Sequence, residues 1–279
     1  MTLDKLNSQL TNNPITYRPI LTIPRNTNFG IELELESVDY NGLEKRIKSL
    51  MGGDWIVKKD KSLSFIDSAE IVSPVLQNQK DTWLLLKKLG QLLARIKPTY
   101  DNCSFQINYD GSLLSTLEDK IRFLKLYALY EDIIYRFSMG DDNKYRESID
   151  IYASPIILAL KDINHLDDDF ILEKFSNNKR YGIIYKEKQD LIEFRTPNAT
   201  SNPILWQNYI TAFYYLLKAV TSNKYNKKEI DRYIEEFSTI YILEKYKHPN
   251  IEKAIEFSNL IFDRQIDKTY FLHQYTHKL

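Results

Sequence analysis

The stretch that decides the fold runs from residue 28 to residue 36, Asn28-Phe29-Gly30-Ile31-Glu32-Leu33-Glu34-Leu35-Glu36. Its alternation has the period of two of a β-strand, so Phe29, Ile31, Leu33 and Leu35 share one face and Glu32, Glu34 and Glu36 the other. Neighbours on one face stand about 7 Å apart at a rise of roughly 3.3 Å per residue. Carboxylates packed at that spacing repel, and glutamate is depleted in strands. A row of three therefore calls either for a wet edge strand or for a cation that turns repulsion into coordination.

The same design returns further along. Residues 69–73 read as a strand carrying Glu70 and closed by Pro74. Residues 103–109 set Cys103, Phe105, Ile107 and Tyr109 against Ser104, Gln106 and Asn108. Residues 181–187 and 191–196 form a hairpin about a Lys188-Gln189-Asp190 turn, with Glu193 and Arg195 opposite Ile192 and Phe194. Between them the spacing predicts a helix over 43–50, a turn at 51–54, an extended piece at 55–57 and a turn bearing Lys58, Lys59 and Asp60. An amphipathic helix covers 83–96, a long helical stretch 113–137, and shorter helices lie within 153–160 and 162–175. From Asn202-Pro203 onward helices dominate, over 203–220, 228–246 and 251–270. The result is one α+β domain over 1–279: an antiparallel sheet within about 28–200, packed on helices on one face and polar on the other, and a helical part from about 203 to 279.

Lysine plus arginine and aspartate plus glutamate both total 38, so no net field draws nucleic acid or an anionic membrane, and neither is expected as a partner. The single cysteine, Cys103, excludes an internal disulfide framework and fits a reducing, cytoplasmic setting. No stretch has the roughly 20 apolar residues of a membrane span, and the first 13 residues lack an apolar leader. Oxygen-only donors on the strands suit magnesium, with manganese as the alternative, whereas zinc would call for a Cys or His cluster that the sequence lacks. Cys103 falls on the apolar side of its strand and reads as core. His165, His248, His273 and His277 receive no role.

Taken together, Phe29-Gly30-Ile31-Glu32-Leu33-Glu34, Glu70-Ile71-Val72-Ser73-Pro74, Cys103-Ser104-Phe105-Gln106-Ile107-Asn108-Tyr109-Asp110 and Ile192-Glu193-Phe194-Arg195 resemble the ordered core motifs of the glutamate–cysteine ligases and amidoligases, within the carboxylate–amine ligases that share the glutamine synthetase catalytic fold. The Gln-x-Asn strand is closer to the glutamate–cysteine ligases, since many amidoligases carry His-x-His there. The resemblance implies a curved sheet with a metal-binding face. It implies that Glu32, Glu34, Glu70 and Glu193 hold magnesium, with Asp60 ranked below them, and that Arg195 faces the γ-phosphate of ATP. Lys58 and Arg146 are further nucleotide-side candidates, and Gln106 and Asn108 would touch substrate or a metal-bound water. The implied reaction joins a small-molecule or peptide carboxylate to an amine by way of an acyl phosphate. Charge neutralisation then matters more than a protein nucleophile.

Arg122, Arg136, Arg146 and Arg180 either clamp a substrate carboxylate or decorate helices; Arg146, following the Gly140-Asp141-Asp142-Asn143 loop, is the first choice among them. Two alternatives stay open: a phosphotransferase like the phosphagen kinases, and an inactive relative that binds nucleotide or peptide on the same face.

Overall fold

The apolar half of each alternating strand is what the helices pack on. The computed structural model describes residues 15–60, 67–142, 144–222, 225–238 and 242–276; most of the turn after Asp60, and His277, lie outside them. The strands are β1 (Asn28–Glu36), β2 (Ile56–Lys58), β3 (Ser68–Val72), β4 (Leu76–Gln77), β5 (Phe105–Asp110), β6 (Ile183–Lys186) and β7 (Leu191–Phe194). They make one antiparallel sheet in the order β2-β3-β1-β5-β7-β6, with the short β4 also pairing β1. The expected α+β architecture with a curved antiparallel sheet is the one observed.

Two helices stack aromatic side chains on the apolar face. In α2 (Lys80–Ile96) Trp83 stacks on Phe29 of β1 at 5.6 Å between ring centroids. In α8 (Pro203–Ala219) Trp206 stacks on Phe105 of β5 at 5.6 Å, and Phe213 on Phe194 of β7 at 4.2 Å. Three strands are thus each pinned by a stacked aromatic pair, a contact worth roughly 0.5–1.5 kcal/mol beyond the area it buries. Helix α1 (Tyr40–Met51) begins where the Asp39 side chain accepts the Gly42 N–H at 3.1 Å. It ends at Gly52, whose φ of 92° is open to glycine. Cys103 is buried, its thiol pushed up by that burial, in keeping with a core residue.

The helices are shorter than the periodicity suggests. The expected 113–137 helix divides into α3 (Leu117–Leu129) and α4 (Glu131–Ser138) at Tyr130, where ψ opens to 17°. The break lets Glu131 turn inward. Completely buried, it accepts the Ile156 N–H at 2.6 Å, the Ile157 N–H at 3.2 Å and the Tyr246 hydroxyl at 3.3 Å. It thereby caps α6 (Ile157–Ile163), which the Ser154-Pro155 step separates from α5 (Ile149–Tyr152). Beyond α7 (Asp168–Phe175), the predicted 228–246 helix resolves into α9 (Lys227–Glu236) and α10 (Ile242–Lys247). The 251–270 helix becomes α11 (Ile251–Ile261) and α12 (Gln265–Thr276), because Phe262 adopts an extended conformation between them. One apolar core runs from Leu21 to Tyr275 and joins sheet and helices, and among the described residues no helix is long and apolar enough to cross a membrane.

Burial pushes the Glu131 carboxyl from its ordinary 4.5 up to about 8, against the pull of the Ile156 and Ile157 N–H groups. A raised acid binds its proton more tightly when folded, so its contribution is full below pH 4.5 and is lost as pH rises through about 8. Denaturation midpoints measured from pH 5 to pH 8 should fall more steeply for the wild type than for Glu131→Gln, which carries no titrating proton. Parallel profiles would contradict this.

Candidate functional site

The register of the sheet writes the site. Glu34 on β1 stands directly opposite Glu70 on β3, and Lys58 on β2 stands opposite Glu70 from the other side. Glu32 faces Gln106 across β1 and β5, and Asn108 faces Glu193 across β5 and β7. Directly opposed carboxylates destabilise a sheet unless something lies between or beside them. Here that something is a line of cations and amides.

The line can be followed atom by atom. Glu34 accepts the Ser104 N–H at 2.6 Å on one oxygen and Gln106 Nε2 at 2.9 Å on the other. Gln106 Oε1 in turn accepts Arg195 Nη1 at 3.0 Å, and the same nitrogen reaches Glu193 Oε1 at 2.7 Å. Arg195 Nε donates to the Tyr152 carbonyl at 3.0 Å, while Nη2 makes no hydrogen bond among the described residues. The second oxygen of Glu193 pairs with Lys186, whose ammonium lies 3.3 Å from Glu32 Oε1. Asn108 Nδ2 donates to that same Glu32 oxygen at 2.9 Å, leaving its own buried Oδ1 without a partner. Glu32 and Glu70 hydrogen-bond to each other, and Lys58 pairs with Glu70 at 3.5 Å.

These side chains line a cavity of about 850 Å³, large enough for a nucleotide-sized ligand. Of the ten residues singled out in the sequence, Glu32, Glu34, Lys58, Asp60, Glu70, Gln106, Arg146, Glu193 and Arg195 lie on its wall, and Asn108 touches Glu32 from behind it. Six acids and five bases make the wall dense in charge yet almost neutral. Burial is the largest influence on Glu32 and opposes its ionisation, but the Lys186 ammonium, together with hydrogen bonds from Glu70, Asn108 and Lys186, holds the carboxyl below its ordinary value. Its neighbour Glu70 is driven by burial, and by the Glu32 carboxyl against it, up to about 7. Burial also raises Glu34, against the positive charge of Arg146.

Three placements refine the expectations. Arg146 is buried, its donors occupied by the carbonyls of Arg195 at 2.8 Å, Thr196 at 3.0 Å and Pro197 at 3.4 Å. It clamps the backbone that carries Arg195, and burial lowers it to about 10. Glu36, on the same strand face as Glu32 and Glu34, lies outside the cavity wall. There it is closed off from solvent beside Thr99, with its pKa raised by burial. Arg122 pairs with Glu118 and Asp119 along α3, as a helix-surface residue does.

The residue that sequence reading missed is Lys186. It sits in β6 with Ile184 on its cavity side, and the register of the hairpin, Ile184 opposite Glu193, sets it diagonally across from that acid. The hairpin itself was legible; its register was the signal that would have found the lysine. Among the described residues, no group of three or more Asp, Glu, His or Cys side chains stands in a metal-holding arrangement, and Lys186, Arg195 and Lys58 lie against the acids. In comparisons with known proteins the chain matches no family model and no curated protein.

Proposed function

We propose that the protein is an ATP- and magnesium-dependent ligase that joins a carboxylate to an amine through an acyl phosphate. The observation that carries this reading is convergence. Residues from six strands, spread from 32 to 195, meet on the wall of one cavity with acids toward β1 and β3 and a guanidinium beside β7. The motifs that suggested the reading are therefore neighbours in space as well as in order.

The Glu32–Glu70 pair is the part of this face that fits a divalent cation. Glu32 and Glu70 lie against each other, with Glu34 directly opposite Glu70, and offer oxygen donors of the kind magnesium or manganese takes; a bound ion would have to draw the three into an arrangement they do not form without it. Glu32, Glu34 and Glu70 would hold the ion, with Asp60 on the same wall, while Glu193 joins them only if Lys186 moves away. Bound there, magnesium supplies charge neutralisation for nucleotide phosphates.

The chain's own residues do the rest by position. With Nε and Nη1 tied down, Arg195 is fixed in orientation and offers Nη2 to charge developing on a transferred phosphoryl group. Gln106 and Asn108 act as positioning residues for Glu34, Arg195 and Glu32. In the reaction a substrate carboxylate oxygen bonds to the γ-phosphorus as the bond to the ADP oxygen breaks. The amine nitrogen then bonds to the acyl carbon, phosphate leaves, and the nitrogen gives up one proton.

A second reading, a nucleotide- or peptide-binding relative without turnover, is favoured by one observation: Lys186 and Arg195 already balance Glu193 without any metal. Turnover separates the two. With ATP, magnesium and a panel of acids, hydroxylamine should trap a hydroxamate and ADP should accumulate. AMP as the sole nucleotide product, or no product at all with every acid, would overturn the ligase reading.

Glu32→Gln and Glu70→Gln should each weaken magnesium-dependent ATP binding at least about tenfold, roughly 1.4 kcal/mol, with an unchanged circular dichroism spectrum. Unaltered binding by calorimetry in both variants would remove the metal from the account.

Arg195→Lys keeps the charge but cannot reach Tyr152, Gln106 and Glu193 together, so kcat should fall at least about tenfold. Near-normal turnover with a lowered Tm would assign Arg195 to the scaffold.

A further inference from the structure

Lys186 belongs to β6, yet its ammonium ends between an acid on β7 and an acid on β1. In the order β1-β5-β7-β6, β6 and β1 lie three steps apart, about 14 Å of flat sheet at roughly 4.8 Å per strand. Curvature of the sheet and the reach of both side chains close that gap, so that Nζ lies 3.3 Å from Glu32 Oε1 while it pairs with Glu193. The Glu193 side chain is wholly shielded from water, and those of Glu32 and Lys186 are 18% and 22% exposed. A long, flexible side chain has been fixed across the polar face to do this, against its conformational entropy.

The compensation is specific. Among the described residues Lys186 is the one cation within ion-pair distance of Glu32; the other partners of that carboxyl are Asn108 and the acid Glu70. Two shielded carboxylates brought this close need a positive charge between them. An ammonium on a tether supplies one charge and three donors, whereas a divalent cation supplies two charges and takes the oxygens as ligands. Both occupants compete for the same oxygens.

We propose that Lys186 is a built-in counter-ion, seated on Glu32 and Glu193 while the face holds no metal and displaced from them when a divalent cation binds. The proposal rests on the reading of this face as a metal site. Lys186 is then a positioning residue: it keeps the acids apart and charge-balanced in the empty protein. It also sets the metal affinity, because every bound ion must first break two ion pairs.

The test uses the full-length protein and Mn²⁺ alone, without nucleotide, with free Mn²⁺ counted by electron paramagnetic resonance. Lys186→Met should bind Mn²⁺ at least tenfold more tightly than the wild type. Its Tm should be lowered in chelator and restored by Mn²⁺ to a greater extent than the wild-type Tm rises. Since loss of the lysine could itself compromise folding, a second measurement is made on the wild type: acylation of lysines read by mass spectrometry. Lys186 should be protected in chelator and become several-fold more reactive with Mn²⁺, while Lys48 and Lys144 stay constant. Equal Mn²⁺ affinity in both proteins, or Lys186 reactivity indifferent to Mn²⁺, overturns the counter-ion role and leaves the metal site standing. Failure of both proteins to bind Mn²⁺ overturns the metal-site reading along with it.

Discussion

The carboxylate of Glu193 lies out of reach of solvent between Arg195 and Lys186, and the polar face is organised around keeping that negative charge tolerable. A shielded charge left without a partner is among the costliest features a fold can carry, so Arg195 and Lys186 are held in turn. Arg195 is fixed by Gln106 and the Tyr152 carbonyl, with Arg146 clamping its backbone, and Lys186 is shared with Glu32. Through Gln106 the line continues to Glu34, and through Glu32 to Glu70 and Lys58. No member of that line is independent of the others.

Behind it the same strands work as ordinary β-structure. Phe194 lies between Glu193 and Arg195 in sequence and stacks on Phe213 at 4.2 Å, so packing of the apolar face fixes where the two charged neighbours point. Strand alternation is thus the mechanism by which a helix-packed core positions a charged site. The cavity is almost neutral by formal count, so its wall presents no large excess of either sign to a ligand.

Much of this was legible in the sequence, for a physical reason: a period of two assigns faces without knowledge of the fold. Glu32, Glu34, Glu70, Gln106, Glu193 and Arg195 were placed on polar faces by alternation alone, and all six line the cavity. What alternation cannot give is register. That is why Lys186 went unread and why Glu36 was grouped with Glu32 and Glu34 although it lies away from the cavity; Arg146, in no strand, reaches the cavity wall while its donors go to backbone carbonyls, a contact that alternation does not address. Helix ends failed for another reason. Tyr130 and Phe262 break periodic segments because tertiary demands, the inward turn of Glu131 among them, override local pattern.

The central claim is that acids of β1 and β3 hold a divalent cation beside a nucleotide's phosphates. It is tested most directly by a crystal structure of the protein with Mn²⁺ and a non-hydrolysable ATP analogue, using anomalous scattering to locate the metal. The account predicts an anomalous peak coordinated by Glu32 and Glu70, with the terminal phosphate of the analogue toward Arg195. An analogue bound elsewhere, or a map without metal at those carboxylates, would contradict it.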